Sequence, residues 1–240
     1  MSAPESIEIR VLGNFAVRAG GEEIATLPVG SQRLLAYLAL RDRAVARTVI
    51  AAAMWPDVAE SRAGDSLRSA LSRLDPVTHR AVVASTSGLR LGDAVEVDFR
   101  AAQALARRLL QTGTPIPASD LSQGAVAVLS NELLPDWHDE WVAGQAEDWR
   151  QLRVSALEEQ ARLLTERGKL ARAAEAARAA IRVEPHRESA HAVLIRVHLA
   201  GGNQSEALRA YDRYRTLLEV DLGLEPTRLI TDLVDGLGPA

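Results

Sequence analysis

The chain of 240 residues contains no cysteine. That excludes a disulfide framework and any zinc site built on thiolates, and it fits a reducing cytoplasm. There is a single lysine, Lys169, and Leu170 follows it, so no phosphate-binding loop of the form GxxxxGK(S/T) exists and ATP hydrolysis by that route is excluded. Met1–Arg10 lacks the basic start and apolar run of an export signal, and no stretch approaches the roughly 18 apolar residues of a membrane span. A cytoplasmic protein with no membrane partner is expected. The nucleophile elbow GxSxG and the metal motif HExxH are both missing. Of the five histidines, His191 and His198 share a helix face with no acidic residue at a third ligand position, which favours packing or hydrogen bonding over a metal. Glu158 and Glu159 are neighbours on a helix and diverge by about 100°, so they cannot converge on one substrate. Without a nucleophile, a metal site or a cofactor loop, neither an enzyme nor a bound cofactor is expected.

The chain is long enough for two domains with separate cores, at roughly 100–150 residues each. Its net charge is −4, but the charge is unevenly spread. Between Gly30 and Leu91, nine arginines (33, 41, 43, 47, 62, 68, 73, 80 and 90) stand against five acids (42, 57, 60, 65 and 75), a local balance of +4. A nucleic-acid surface is therefore sought in this window.

Ile7, Ile9 and Val11 alternate with Glu8 and Arg10, the period-2 pattern of a strand with one buried face. The turn dipeptides Gly13-Asn14 and Gly20-Gly21 leave room for strands around Phe15–Arg18 and Glu22–Ala25, so the start reads as a three-stranded antiparallel meander ended by Pro28 and Gly30. Ser31 is the expected N-cap of a first helix to about Leu40, carried by Leu34, Leu35, Leu38 and Ala39. A second helix runs from about Thr48 to Trp55 and stops at Pro56. Ser61 is expected to cap a third, to Leu74, whose Ala63, Leu67, Ala70, Leu71 and Leu74 form one apolar stripe ended by Asp75-Pro76. Ala81–Ser85 and Leu89–Leu91 then flank Thr86-Ser87-Gly88 as a hairpin. Three helices followed by a hairpin is the order of a winged helix-turn-helix.

At about 100° per residue, the third helix turns Arg62, Asp65, Arg68, Ser69, Ser72 and Arg73 away from the leucine stripe. A helix fits the major groove, where arginine can bond guanine bidentately and serine can reach base edges or phosphates. Any surface helix has a polar face; the position after two helices and before a hairpin is what favours DNA. Thr86, Ser87 and Arg90 of the hairpin suit a phosphate backbone or a minor groove, and Arg33, near the start of the first helix, with Arg41, Arg43 and Arg47 around the loop after it, are either phosphate contacts or solvated charges. Asp65 works against affinity unless it accepts from a base amine or pairs with Arg62 or Arg68.

From Phe99 the pattern is helical, with helices expected near 99–111, 119–131, 138–167, 170–183, 187–200, 204–219 and 226–236, and breaks at Thr112–Pro117, Leu134-Pro135, Glu184-Pro185 and Gly201-Gly202-Asn203. The join is placed near Glu96–Asp98, giving domains 1–98 and 99–240. Between Glu147 and Leu218 residues recur at a spacing of 34, pairing Gly168 with Gly202, Ala173 with Ala207 and Ala177 with Tyr211. This is the period of a tetratricopeptide-type helical hairpin and suggests a docking surface. Trp137, Trp141, Trp149, Tyr211 and Tyr214 are expected to fill gaps between these helices, and the flanking of a polar turn by Trp137 and Trp141 to anchor the long helix that follows.

The chain resembles the Streptomyces antibiotic regulatory protein (SARP) family, with its bacterial transcriptional activator domain (BTAD). The first half carries Ile9-Arg10-Val11-Leu12-Gly13, Gly30-Ser31-Gln32-Arg33-Leu34-Leu35, Met54-Trp55-Pro56-Asp57, Ser66-Leu67-Arg68-Ser69-Ala70-Leu71-Ser72-Arg73-Leu74 and Gly88-Leu89-Arg90-Leu91. The second carries Leu133-Leu134-Pro135-Asp136-Trp137, Glu184-Pro185-His186-Arg187-Glu188-Ser189-Ala190-His191, Gly202-Asn203, Glu206-Ala207-Leu208, Tyr211, Tyr214-Arg215 and Leu222-Gly223-Leu224-Glu225-Pro226. The family often has a lysine where this chain has Ser31, and its third helix is usually more basic. The resemblance implies an α+β, OmpR-like winged helix-turn-helix that binds promoter direct repeats. An all-α, tetratricopeptide-like domain follows it, for dimer contacts on DNA and for RNA polymerase. It further implies a small member without appended nucleotide-binding and sensor regions. The expected function is sequence-specific transcriptional activation of one pathway, with Arg33, Arg47, Arg62, Arg68, Ser69, Ser72, Arg73, Thr86, Ser87 and Arg90 contacting DNA. The alternative is a non-catalytic scaffold whose winged helix docks protein instead.

Overall fold

The computed structural model describes residues 6–111 and 113–237. The first five residues of the opening segment, Thr112 of the expected break and the last three of the helical half lie outside them. By compactness the chain divides into unit 1, residues 1–102 with 132–149, and unit 2, residues 103–131 with 150–240. The division expected at residue 98 follows chain order, whereas compactness does not: 132–149 folds back into unit 1 from the middle of the helical half.

Unit 1 opens with β1 (Ile7–Arg10), β2 (Ala16–Ala19) and β3 (Glu22–Glu23), paired antiparallel with Ile9 opposite Val17 and Arg18 opposite Glu23. The sheet has a fourth strand that the meander reading left out. β6 (Val95–Val97) runs parallel to β1 on its other side, with Val97 opposite Ile9. The expected join is thus a strand, and Asp98 beyond it binds the sheet, accepting from Val11 N at 2.9 Å and Leu12 N at 3.1 Å. Burial pushes the Asp98 carboxyl above its ordinary range, and these backbone donors only partly offset it.

Three helices follow: α1 (Val29–Ala39), α2 (Arg47–Met54) and α3 (Glu60–Ser72). Neither serine caps as expected. Ser31 lies inside α1, fully buried, and its hydroxyl donates to Ala70 O of α3 at 2.7 Å. It ties two helices together where they approach closely, and Gly30, also inside α1, faces Ala70. Ser61 is the second residue of α3, after Ala59 at the N-cap position. Asp75-Pro76 ends α3 but also starts α4 (Pro76–Arg80): proline suits a first helical position, and Asp75 caps through Val77 N and Thr78 N. The hairpin is β4 (Val82–Ser85) and β5 (Gly88–Leu91). Val45, between α1 and α2, pairs with Leu89 through two backbone hydrogen bonds of 2.9 Å.

Residues 132–149 complete this unit. Leu133 bridges to Leu12, and Leu134 N donates to Val11 O at 3.0 Å with its backbone at a φ of 43°. Trp137 packs on Phe15, Trp141 edge-on to Tyr37, and Trp149 edge-on to Phe99. These three tryptophans fill unit 1, not the gaps of the helical repeat. Their partners are distant in sequence, so periodicity within the helical half could not reveal them.

The helices of the second half are α5 (Asp98–Leu110), α6 (Gln123–Ser130), α7 (Glu140–Glu166), α8 (Leu170–Val183), α9 (Glu188–Ala200), α10 (Gln204–Leu222) and α11 (Arg228–Val234). The helix expected over 119–131 splits into a short 3-10 turn (Ala118–Leu121) and α6, because Ser122 stops the first and caps the second through Ala125 N. The 34-residue register has a physical basis within unit 2. Gly168 and Gly202 adopt left-handed φ of 68° and 71° just before α8 and α10, and Ala173 and Ala207 are fully buried where those helices cross their neighbours.

The motif from Glu184 to His191 is a tie-point of unit 2. Arg187 bonds Glu158 at 2.8 Å, His186 meets Asp221 at 2.9 Å, and Glu188 accepts from Thr227 N at 3.0 Å ahead of α11. The His191 ring stacks on Tyr214 at 4.2 Å and bonds Pro185 O. Burial and the neighbouring Glu188 carboxylate push the Tyr214 hydroxyl up to about 12.

Candidate nucleic-acid interface

Unit 1 presents α3 with its two faces divided as its sequence demands. Ala63, Leu67, Ala70 and Leu74 are buried, and Leu71 is half-buried. Arg62, Asp65, Arg68, Ser72 and Arg73 are exposed, with Ser69 half-buried at the edge of the face. Arg73 sits at the C-cap, where its N–H closes the last turn onto Ser69 O and leaves the guanidinium outside the helix. Ser72 Oγ donates to Ser69 O at 3.0 Å, so these two small residues form a low, polar stretch between Arg68 and Arg73.

Arg47 joins this face from another element. It is the first residue of α2, is exposed, and lines a groove of about 540 Å³ with Thr48, Glu60, Ser61, Gly64, Asp65 and Arg68. A cation at that place stands beside the polar face of α3. The pairing of Asp65 with an arginine also occurs: its carboxylate bonds Arg68.

Thr86 and Ser87 form the exposed tip of the wing, where Ser87 Oγ meets Ser85 Oγ at 2.7 Å. Arg90 lies further down, on β5. Its guanidinium holds Asp93 through two contacts, at 2.6 and 3.2 Å, and Leu91 O at 2.9 Å, and the hydrogen bonding from Arg90, with its charge second, holds the Asp93 carboxyl below its ordinary range. A phosphate would have to compete with Asp93 for this guanidinium.

Arg33 is half-buried and engaged within unit 1. It donates to Met54 O at 2.8 Å and pairs with Asp139, and its side chain is 24% exposed. As a phosphate contact it is corrected to a structural residue: its position early in α1 suggested exposure, but its acid partner comes from the segment that folds back. Arg41 is likewise engaged, lying over the Tyr37 ring at 4.5 Å. The structure therefore brings together Arg47, Arg62, Arg68, Ser69, Ser72 and Arg73 on α2, α3 and the α3 C-cap, places Thr86, Ser87 and Arg90 on the wing, and holds Arg33 half-buried against Asp139. Sequence reading missed Val45, whose backbone positions the wing; one valine in a loop gives no periodic signal.

Among the described residues no group of three or more metal-ligating side chains stands together, and no helix is long and apolar enough to cross a membrane. Residues 96–237 match the family described as bacterial transcriptional activator domain. The chain is 29% identical over 231 residues to the regulatory protein AfsR of Streptomyces coelicolor, across 92% of this chain and 23% of AfsR. The solved structure of Mycobacterium tuberculosis EmbR, in complex with a low affinity phosphopeptide, is similar with a TM-score of 0.73 at 23% identity, across 97% of this chain and 65% of that one. The chain thus spans less than a quarter of AfsR and just under two thirds of EmbR. The likeness to EmbR shows the fold, a winged helix-turn-helix followed by a helical domain.

Proposed function

The chain belongs to the bacterial transcriptional activator domain family, as its resemblance to the Streptomyces antibiotic regulatory proteins implied, and on that premise we propose that it is a sequence-specific, DNA-binding transcriptional activator. Residues 1–98 carry the DNA contacts and 99–240 the activating ones. The observation that carries this reading is the exposed row Arg62, Arg68, Ser72 and Arg73 on α3, backed by a buried apolar stripe and flanked by Arg47. In this reading α3 enters the major groove, Arg62, Arg68, Ser69, Ser72 and Arg73 meet bases or phosphates, and Thr86, Ser87 and Arg90 lie along the backbone.

The free guanidinium groups are few, so one protomer makes few phosphate contacts. Two copies on a promoter direct repeat raise effective concentration without new base contacts. The helical half supplies the surface for a second copy and for RNA polymerase, as a stack of helix pairs offers a groove to another protein. Binding of the full chain to duplexes with one repeat and with two, measured by fluorescence anisotropy at fixed salt, tests this. Much tighter binding to two is expected, and equal affinity removes the cooperative part. Arg209 on α10, 66% exposed, tests the second half. Arg209→Glu is expected to lower transcription in vitro while moving the gel-shift midpoint less than about twofold, as a charge that makes no DNA contact should.

A second reading, a scaffold whose winged helix docks protein, is favoured by one observation. Arg68 and Arg90 are each paired with an acid, Asp65 and Asp93. Absence of any salt-dependent retention of the chain on duplex DNA would establish that reading instead.

A further inference from the structure

Asp65 stands on the outward face of α3 among Arg62, Arg68 and Arg73, and it bonds Arg68 one turn further on. Both side chains are well exposed, 65% for Asp65 and 72% for Arg68, so burial does not demand the pair. An exposed pair at this spacing adds little stability. An acid on a helix that meets DNA also opposes every phosphate it approaches. Asp65 therefore lowers affinity and contributes almost nothing to folding, and its effect is to be sought in discrimination.

The geometry of Arg68 shows how. The bond to Asp65 uses Nη2, and Nη1 lies back over the preceding turn, 3.9 Å from where a side-chain carbon on Gly64 would stand. The guanidinium is thus oriented along α3 before any ligand arrives. Arginine has five donors in a planar fork, so with one held by the carboxylate the remaining ones still match the O6 and N7 acceptors of guanine. An unheld arginine on a long, flexible stem turns equally well to the nearest phosphate, which carries no sequence information.

We propose that Asp65 is a specificity-determining residue that acts through Arg68, holding its guanidinium for a guanine in the major groove and withholding it from the phosphate backbone. This rests on α3 being the reading helix. Asp65 is a positioning residue in this scheme, and Arg68 makes the contact.

The test uses the full chain and its Asp65→Ala, Asp65→Asn, Arg68→Ala and double Asp65→Ala/Arg68→Ala variants. A preferred site is first selected from a random duplex pool with the parent chain. Anisotropy then gives the affinity of each variant for that site and for a scrambled duplex, and circular dichroism checks helix content. Removing Asp65 is expected to raise affinity for the scrambled duplex several-fold and make it more salt-sensitive. The preference for the selected site should fall about twofold, the most that an exposed pair at this spacing can hold back. Selection with Asp65→Ala should relax at one guanine. In the Arg68→Ala background, removing Asp65 should leave the preference unchanged. The inference is overturned if Asp65→Ala and Asp65→Asn discriminate as the parent does, or if the loss persists without Arg68, the mark of a direct bond from Asp65 to a cytosine amine. A parent chain that binds all duplexes alike removes the reading of α3, and this inference with it.

Discussion

Replacing Gly88 by alanine probes how the wing is held to the helices. Gly88 has a φ of 134°, and a side-chain carbon there would lie 1.9 Å from Val45 O, 2.4 Å from Val45 C and 2.8 Å from Ala46 N. These are backbone atoms, so no rotamer change relieves the overlap. Alanine fits only if β5 moves off Val45, which opens the two 2.9 Å hydrogen bonds between Val45 and Leu89. Each such bond contributes a net of about 0.5–1.5 kcal/mol. Leu89 is fully buried and loses part of the roughly 1.5–3 kcal/mol that burial supplies. If the strand stays in place instead, the strained backbone alone costs on the order of 1–3 kcal/mol, with the overlap unrelieved. The expected loss is about 2–5 kcal/mol, a large share of the roughly 5–15 kcal/mol of a typical domain. Urea unfolding followed by tryptophan fluorescence measures it, and hydrogen exchange at the Val45 and Leu89 amides should accelerate toward that of the wing tip. Gly64→Ala is the control. It is helical and meets nothing closer than Arg68 Nη1 at 3.9 Å, so alanine should stabilise α3 by up to about 1 kcal/mol. A Gly88→Ala variant that loses less than about 1 kcal/mol and keeps its Leu89 amide protected would show that the Val45 pairing does not fix the wing.

A chain cut after residue 98 loses Phe99 and the return segment that covers Phe15 and Tyr37. It should melt broadly, whereas a chain ending at 149 should melt cooperatively; a sharp transition in the shorter chain would refute the need for that segment. Arg73→Ala should relax preference at one base position, by about 1–3 kcal/mol of discrimination. Arg90→Ala should instead weaken all sequences alike and flatten the log–log salt slope by up to about one unit, and uniform loss in both variants would unseat α3 as the reader. Burial lowers His191 below its ordinary 6.5 despite the bond to Pro185 O, and burial lowers His198 in the same sense. The unfolded chain then takes up protons more readily, so their contribution to stability is present above that value and is lost as pH falls below it. Melting temperature should drop between pH 7.5 and 5.5, and His191→Gln should flatten the drop; an unchanged slope would show that His191 does not carry it.

Legibility in the sequence tracked the range of the interactions. The stripe of α3 and its outward face were readable because helical period acts within one element. The helical repeat was readable because small residues recur where helices cross. Elements defined by distant partners were not. β6 is three residues long and pairs with a strand at the other end of unit 1. Ser31 reads as a cap because hydroxyls usually serve one, yet it bonds Ala70, 39 residues away. Asp75-Pro76 stops one helix and starts another, and only the stop was legible. The same holds at the candidate interface, where the outward placement of Arg62, Arg68, Ser72 and Arg73 followed from period alone. The loss of Arg33 to Asp139 spans 106 residues and leaves no local trace.

The return of residues 132–149 into unit 1 has a consequence for the order in which the protein comes into being. A ribosome makes the sheet, the three helices and the wing first, and reaches the tryptophans that cover Phe15, Tyr37 and Phe99 about fifty residues later. At roughly 5–20 residues per second that gap lasts about 3–10 s, during which those aromatic faces lack their native cover. The head of the protein matures only once its long helix α7 has begun. A product released early would carry α3 in its sequence without the finished body that holds it, so birth order itself ties the first unit to the start of the second.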